Sequence, residues 1–255
     1  MADYRKLLYS VEQGVARITL NRPDKRNALD AELVGEIRQA LDTSAEDDSL
    51  PLVLLTGAGK DFCSGADLAA LEQLSQASVA ENVADARRLG DLFIAMRRHP
   101  RPIVAAVRGR ALAGGCGLAT AADIVLAAES AQFGYPEVKI GFVPAMVMAI
   151  LRRSVSEKRA FELLVSGEII PARTALEMGM INRVFADTAF DSEAAAYVSK
   201  LAAQSTSALS LTKSLLYQMD TLSFEAAISA GVEVHALART TADYRRGIEQ
   251  FLKKR

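Results

Sequence analysis

Four short apolar runs, separated by stretches of helical periodicity, restrict this chain to a narrow set of architectures. "VARITL" (15–20) is rich in β-formers and leads into the turn-forming "NRPDKRN". "PLVLLTGAG" (51–59) ends on glycines, and "RPIVAAVRG" (101–109) and "ADIVLAAE" (122–129) repeat the pattern. Each reads as a strand. Residues 31–43 and 71–98 carry apolar residues at helical spacing between them. Strand alternating with helix predicts an α/β fold on a largely buried parallel sheet, because crossover helices cover the faces of such a sheet.

After Pro144 the pattern becomes helical almost throughout, with no long strand. "SALSLTKSLLYQM" is apolar over much of its surface, so it has to pack on the core or on another subunit. This predicts an oligomer. No repeat, low-complexity tract or Pro/Ser-rich linker marks off a second independent domain.

Composition excludes several classes of function. The formal net charge is −1 over 255 residues, without a Lys/Arg cluster, which argues against nucleic acid or an acidic membrane surface as partner. Two cysteines, Cys63 and Cys116, are too few for a disulfide framework and lack zinc-ligand spacing. No apolar run reaches the roughly 18 residues of a membrane helix, and the first residues lack the order of a signal peptide. The expectation is a soluble, cytoplasmic protein.

The chemistry has to come from "RGRALAGGCGLATAAD" (108–123) and "GKDFCSGADL" (59–68), two glycine-containing loops that each follow a strand and open a helix. Neither holds a phosphate-binding fingerprint: "GAGKDF" has Phe62 where a dinucleotide loop needs glycine, and Asp61 follows Lys60 where a P-loop needs Ser or Thr. "GGCGL" is not a nucleophile elbow, and His99 and His235 are remote in sequence from Cys116 and Ser64. Cys116 reads as a small buried thiol and His99, before Pro100, as a turn residue. What remains is the backbone. Free N–H groups at the start of a helix, expected near Cys116, favour negative charge, and two such loops could direct two donors at one oxygen. The competing reading is that the glycines only let helix and sheet pack closely.

"GKDFCSGADL", "AAVRGRALAGGCGLATAADIVLAAESAQFGYPEVKIGFVP" and "LLVSGEIIPARTALEMGMINRVF", in that order, resemble the successive signatures of the crotonase, or enoyl-CoA hydratase/isomerase, superfamily. The resemblance implies the crotonase (ClpP-like) α/β fold: repeated ββα units forming two roughly perpendicular sheets, then a C-terminal helical trimerisation region. It places the acyl-CoA-binding core at 1–195 and the helical oligomerisation segment at 196–255, assembled as a trimer or a dimer of trimers.

It also implies an acyl-CoA thioester substrate, with coenzyme A as part of that substrate and no redox or metal cofactor. The oxyanion donors would be the amides of Ala66 and Gly114. Lys25, Arg26 and Ala28 would contact pantetheine and phosphate, and Ala66, Asp67 and Leu68 would lie near the adenine. Lys25 and Arg26 on their own read as solvated turn charges. The chain departs from many relatives at Ala69, where they carry lysine, which leaves the phosphate contact weaker or supplied elsewhere.

Of the two carboxylates that hydratases of this family use, only Glu137 of "GYPEVKIG" is present, and Gly117 stands at the other position. One carboxylate suffices to move a proton between C2 and C4 of an enoyl thioester, which is double-bond isomerisation. Hydration with a single acid lacks the partner that orients the water. If Gly117 leaves room for a substrate branch or a second water, Gly117→Glu should raise hydration. Decarboxylation, thioester hydrolysis and a non-catalytic acyl-CoA-binding subunit are the alternatives. "GFVPAMVMAIL" (141–151) is expected to help wall the acyl site.

Overall fold

The computed structural model describes residues 4–253. The chain opens with a hairpin, β1 (Leu7–Glu12) and β2 (Val15–Leu20), turned at Gln13 and Gly14, both at positive φ. β3 (Val53–Gly57), β4 (Ile103–Val107), β5 (Arg110–Leu112), β6 (Ile124–Ala128), β7 (Gln132–Gly134), β8 (Ile169–Pro171) and β9 (Arg183–Phe185) follow. One sheet has the order β1-β2-β3-β4-β6-β9, antiparallel at the hairpin and parallel elsewhere; a second joins β5, β7 and β8. All four runs read as strands from sequence lie in the first sheet. Sequence periodicity missed β1, whose burial does not alternate, and the second sheet, whose three-residue strands are too short to carry a period.

The helices are α1 (Ala31–Ala45), α2 (Leu68–Ser75), α3 (Val79–Arg98), α4 (Gly114–Thr120), α5 (Ala145–Ser154), α6 (Glu157–Ser166), α7 (Ala172–Glu177), α8 (Phe190–Ala202), α9 (Thr206–Gln218), α10 (Phe224–Thr240) and α11 (Ala242–Lys253). The stretch 71–98, periodic throughout, is not one helix. Ser78 starts α3 with a capping box: its hydroxyl accepts from the Glu81 amide, and the Glu81 carboxylate accepts from the Ser78 amide. S-x-x-E was legible there, and local capping outweighs periodicity.

Every residue of β4 is buried, because the sheet is covered on both sides. One core contains Ile18, Leu33, Ile37, Leu55, Ala105 and Phe133. On the other face Leu52, Leu54, Val104 and Leu126 pack against Phe190, Ala194 and Val198 of α8. The position 195/196 therefore falls inside a helix that packs on the sheet. α9 is tied to the core by Lys213, whose buried ammonium donates to the Met96 and Arg101 carbonyls and, at 2.7 Å, to the Asp123 carboxylate.

Candidate active site

β3 and β4 are parallel neighbours, so the loops that follow them leave the same edge of the sheet. Hydrogen bonds zip the loops together: Phe62 N donates to Arg108 O, Cys63 N to Arg110 O, and Leu112 N to Cys63 O, all at 2.9–3.0 Å. The turn before α1 joins them, with Ser64 N donating to Arg26 O. Leu29 bridges Ala66 by donating to Gly65 O at 2.7 Å and accepting from Asp67 N at 2.8 Å. In such a parallel bridge the middle residue's own amide points away from its partner. The Ala66 N–H accordingly has no acceptor among the described residues.

The second free amide belongs to Gly114. α4 starts there, two residues before the position expected from sequence, and its first amide has no preceding helical carbonyl to bond. Ala113, just before it, holds φ at +51°, a strained conformation for alanine. Two bonds lock Ala113: its amide donates to Gly134 O and its carbonyl accepts from Gly117 N. The residues preceding the two free amides touch, since a Cβ on Gly65 would stand 2.8 Å from the Cβ of Ala113. Ala66 and Gly114 thus sit on apposed stretches.

The glycines of α4 serve different ends. A Cβ at Gly115 would meet Cys63 O at 2.4 Å, and one at Gly117 would meet Val147 Cγ1 at 2.4 Å and Phe93 Cζ at 3.1 Å. Close packing requires both, as the competing reading held. At Gly114 a Cβ would make only ordinary contacts, 3.5 Å to Leu29 and 3.7 Å to Leu89. The condition posed from sequence, that Gly117 leaves room for a substrate branch or a second water, is not met beside its Cα, where Val147, in the first turn of α5, and Phe93, on α3, fill the space.

Glu137 lies in the 3-10 turn Pro136–Ile140, three residues beyond the Gly134 carbonyl that holds Ala113. Its Oε2 is buried and has no hydrogen-bond partner among the described residues. Burial pushes the carboxyl above the ordinary glutamate value, against only its own backbone amide. A buried carboxylate oxygen without a partner signals a proton-transfer group or a ligand contact. Tyr135, beside it, is fully buried, and its hydroxyl lies 3.1 Å from Thr120 Oγ1, which donates to Cys116 O. This ties the Glu137 turn to α4.

The remaining predicted residues surround the same loops. Lys25 and Arg26 are exposed, Ala28 is buried, and Leu68 opens α2 with its side chain in solvent. Asp67 is engaged structurally: it caps α2 by accepting from Ala69 N and pairs with Arg22 at 2.8 Å. Burial would raise its pKa, but Arg22 and the Ala69 and Ala70 amides outweigh it and hold the carboxyl low.

Sequence reading missed Arg22 and Asn27. Arg22 bridges Asp30 and Asp67 and donates to Ala28 O. Asn27, wholly buried at φ +55°, donates to the Ala58 and Asp61 carbonyls and accepts from Arg22 N. The available signal was an asparagine closing a turn between strand and helix, where its tolerance of positive φ is useful.

Neither cysteine is set up as a nucleophile, since burial pushes both thiols up to about 12. His99 does end a helix at a turn, but it is buried: Nδ1 accepts from Arg101 N, and Nε2 lies 3.1 Å from Leu41 O. Burial lowers its pKa. Among the described residues no group of three His, Cys, Asp or Glu could hold a metal ion, and no helix is long and apolar enough to cross a membrane.

Residues 10–255 match the family model described as enoyl-CoA hydratase/isomerase. The chain belongs to this family. It is 41% identical to the "Putative enoyl-CoA hydratase" of Thermus thermophilus over 97% of this chain and 98% of that one. It is 34% identical to the 2,3-dehydroadipyl-CoA hydratase of Escherichia coli, over 98% and 96%. A crystal structure of an enoyl-CoA hydratase from Mycobacterium smegmatis superposes with a TM-score of 0.93 at 34% identity, covering 98% of this chain and 97% of that one. The fold is the α/β crotonase fold, and the enoyl-CoA hydratase/isomerase family is one of enzymes.

Proposed function

We propose that this family member shifts the double bond of an enoyl-CoA thioester, with Glu137 as the single general acid/base and the amides of Ala66 and Gly114 holding the thioester oxygen. The observation that carries the reading is the partnerless, buried Glu137 carboxylate oxygen, coupled with the apolar filling of the space at Gly117. Glu137 takes a proton from one carbon, the charge spreads onto the thioester oxygen, and the same carboxyl returns the proton at the other carbon. Each amide donor contributes about 2.7–4 kcal/mol at that transition state. Burial, by raising the carboxyl's pKa, makes Glu137 a stronger base for this task.

Coenzyme A lies along the turn 25–28 and residues 66–68, with the exposed Lys25 and Arg26 meeting phosphate and Ala28, Ala66, Asp67 and Leu68 contributing backbone and apolar contacts. With alanine at 69, the phosphate charge falls to Lys25 and Arg26. The chain assembles into trimers through its C-terminal helices, where Phe224, Ile228 and Val232 form an exposed apolar stripe along α10.

A second reading, water addition by Glu137 alone, is favoured by the names of the Thermus and Escherichia relatives. A panel of 2-enoyl and 3-enoyl CoA thioesters separates the two. A moved double bond at unchanged mass, lost in Glu137→Gln while acyl-CoA binding persists, is the expected result. A mass gain of one water that depends on Glu137 would establish hydration. Activity that survives Glu137→Gln would refute both.

A further inference from the structure

The side of the site where the second carboxylate is expected, opposite Glu137, is closed by hydrocarbon. The Cα–Cβ direction of Gly117 leads into Val147, which is buried in the first turn of α5, with Phe93 behind it. Gly90, one turn before Phe93, faces the sulfur of Met146, the neighbour of Val147. Gly114, one turn before Gly117, faces Leu29 and Leu89. α3, α4 and α5 thus meet through apolar atoms and glycines, and no charged group reaches the Gly117 position among these contacts.

We propose that Val147, backed by Phe93, is the specificity-determining residue of this site: it occupies the volume a second carboxylate would need and keeps an attacking water from being held opposite Glu137. This rests on the single-acid reading above. Loss of the glutamate at 117 alone would leave a polar hole that water could fill. Replacing that hole with a packed valine leaves C3 of a bound 2-enoyl thioester facing hydrocarbon, so no water lone pair is held in reach of C3 and the electrons of the enolate serve only to take a proton back from Glu137. Restoring hydration therefore requires two changes, an acid at 117 and space at 147. In the hydrating variant the water oxygen bonds to C3 as the C2=C3 π bond breaks. One water proton passes through a carboxylate to C2, and the other stays on the new hydroxyl.

The experiment compares wild type, Gly117→Glu, Val147→Ala and the pair on a short linear 2-enoyl-CoA, reading the mass gain of water. The pair is expected to hydrate about a hundredfold faster than either single variant, the scale of one well-placed acid/base group. Gly117→Glu hydrating as fast as the pair would overturn the proposal, because the acid would then have had room beside valine. A pair that folds and binds acyl-CoA yet hydrates no faster than wild type would overturn it equally. Denaturation midpoints of Gly117→Ala with and without Val147→Ala supply a measurement free of turnover. The midpoint should fall in Gly117→Ala and recover part of the loss in the pair, and an unchanged midpoint in the single variant refutes the packing. Failure of the function itself shows separately, as absence of a Glu137-dependent double-bond shift in the wild type on 3-enoyl-CoA.

Discussion

Gly65→Ala should damage both folding and turnover, through one contact. Gly65 holds φ at +98°, where alanine is strained by about 1–3 kcal/mol. The added methyl would stand 2.8 Å from Ala113 Cβ and 3.0 Å from Leu112 O, an overpacking that typically adds about 1–3 kcal/mol. Ala113 cannot easily yield, because its φ is already +51° and both its amide and its carbonyl are bonded. The expected loss is about 3 kcal/mol, or roughly 6–12 °C in Tm for a chain of this size. The strain relaxes by separating the two loops that carry the free amides of Ala66 and Gly114. A misplacement near 1 Å is enough for about a hundredfold loss of kcat, with KM changing less. Paired thermal melts and steady-state kinetics on the preferred enoyl-CoA test this. Wild-type stability would refute the steric argument. Lost stability with unchanged kcat would refute the claim that this contact sets the geometry of the donors.

Other outcomes follow from the same structure. Glu137's pKa is raised by folding, so between the ordinary 4.5 and the raised value the native state binds more protons than the unfolded chain. Stability should therefore fall as pH rises through that window, and Glu137→Gln should be the more stable protein at pH 7 and lack that slope; parallel Tm–pH curves would refute this. The acid limb of kcat/KM should lie above 4.5 for the same reason. Lys213→Met leaves the half-buried Asp123 carboxylate without its cation, though still with the Ile103 amide and the Tyr217 hydroxyl, and should cost up to about 3 kcal/mol in urea denaturation, with hydrogen exchange rising first in α9. Asn27→Ala leaves the Ala58 and Asp61 carbonyls without their donor, at about 1–3 kcal/mol for each buried group, and should weaken acyl-CoA binding measured by calorimetry; wild-type affinity would detach Asn27 from the coenzyme turn.

Sequence pattern alone was enough for the four central strands, since each run is long enough to show its period and ends on a turn signal. It was also enough to bring out the loops at 59–68 and 108–123, because glycines that follow a strand and open a helix have few other uses, whereas Glu137 came from the family resemblance of "GYPEVKIG" and not from its spacing. Local chemistry outweighs periodicity at Ser78, where a capping box divides what looked like one helix. Tertiary structure alone decided which amides are free. Ala66 is left over because Leu29, far away in sequence, takes the bonds on either side of it. It also decided the meaning of Gly117, since whether a missing side chain leaves a hole or a wall depends on Val147 and Phe93, which reach it from two other helices. The division has a physical basis: periodicity, caps and turns are properties of neighbouring residues, whereas a close contact exists only once distant segments share the same space.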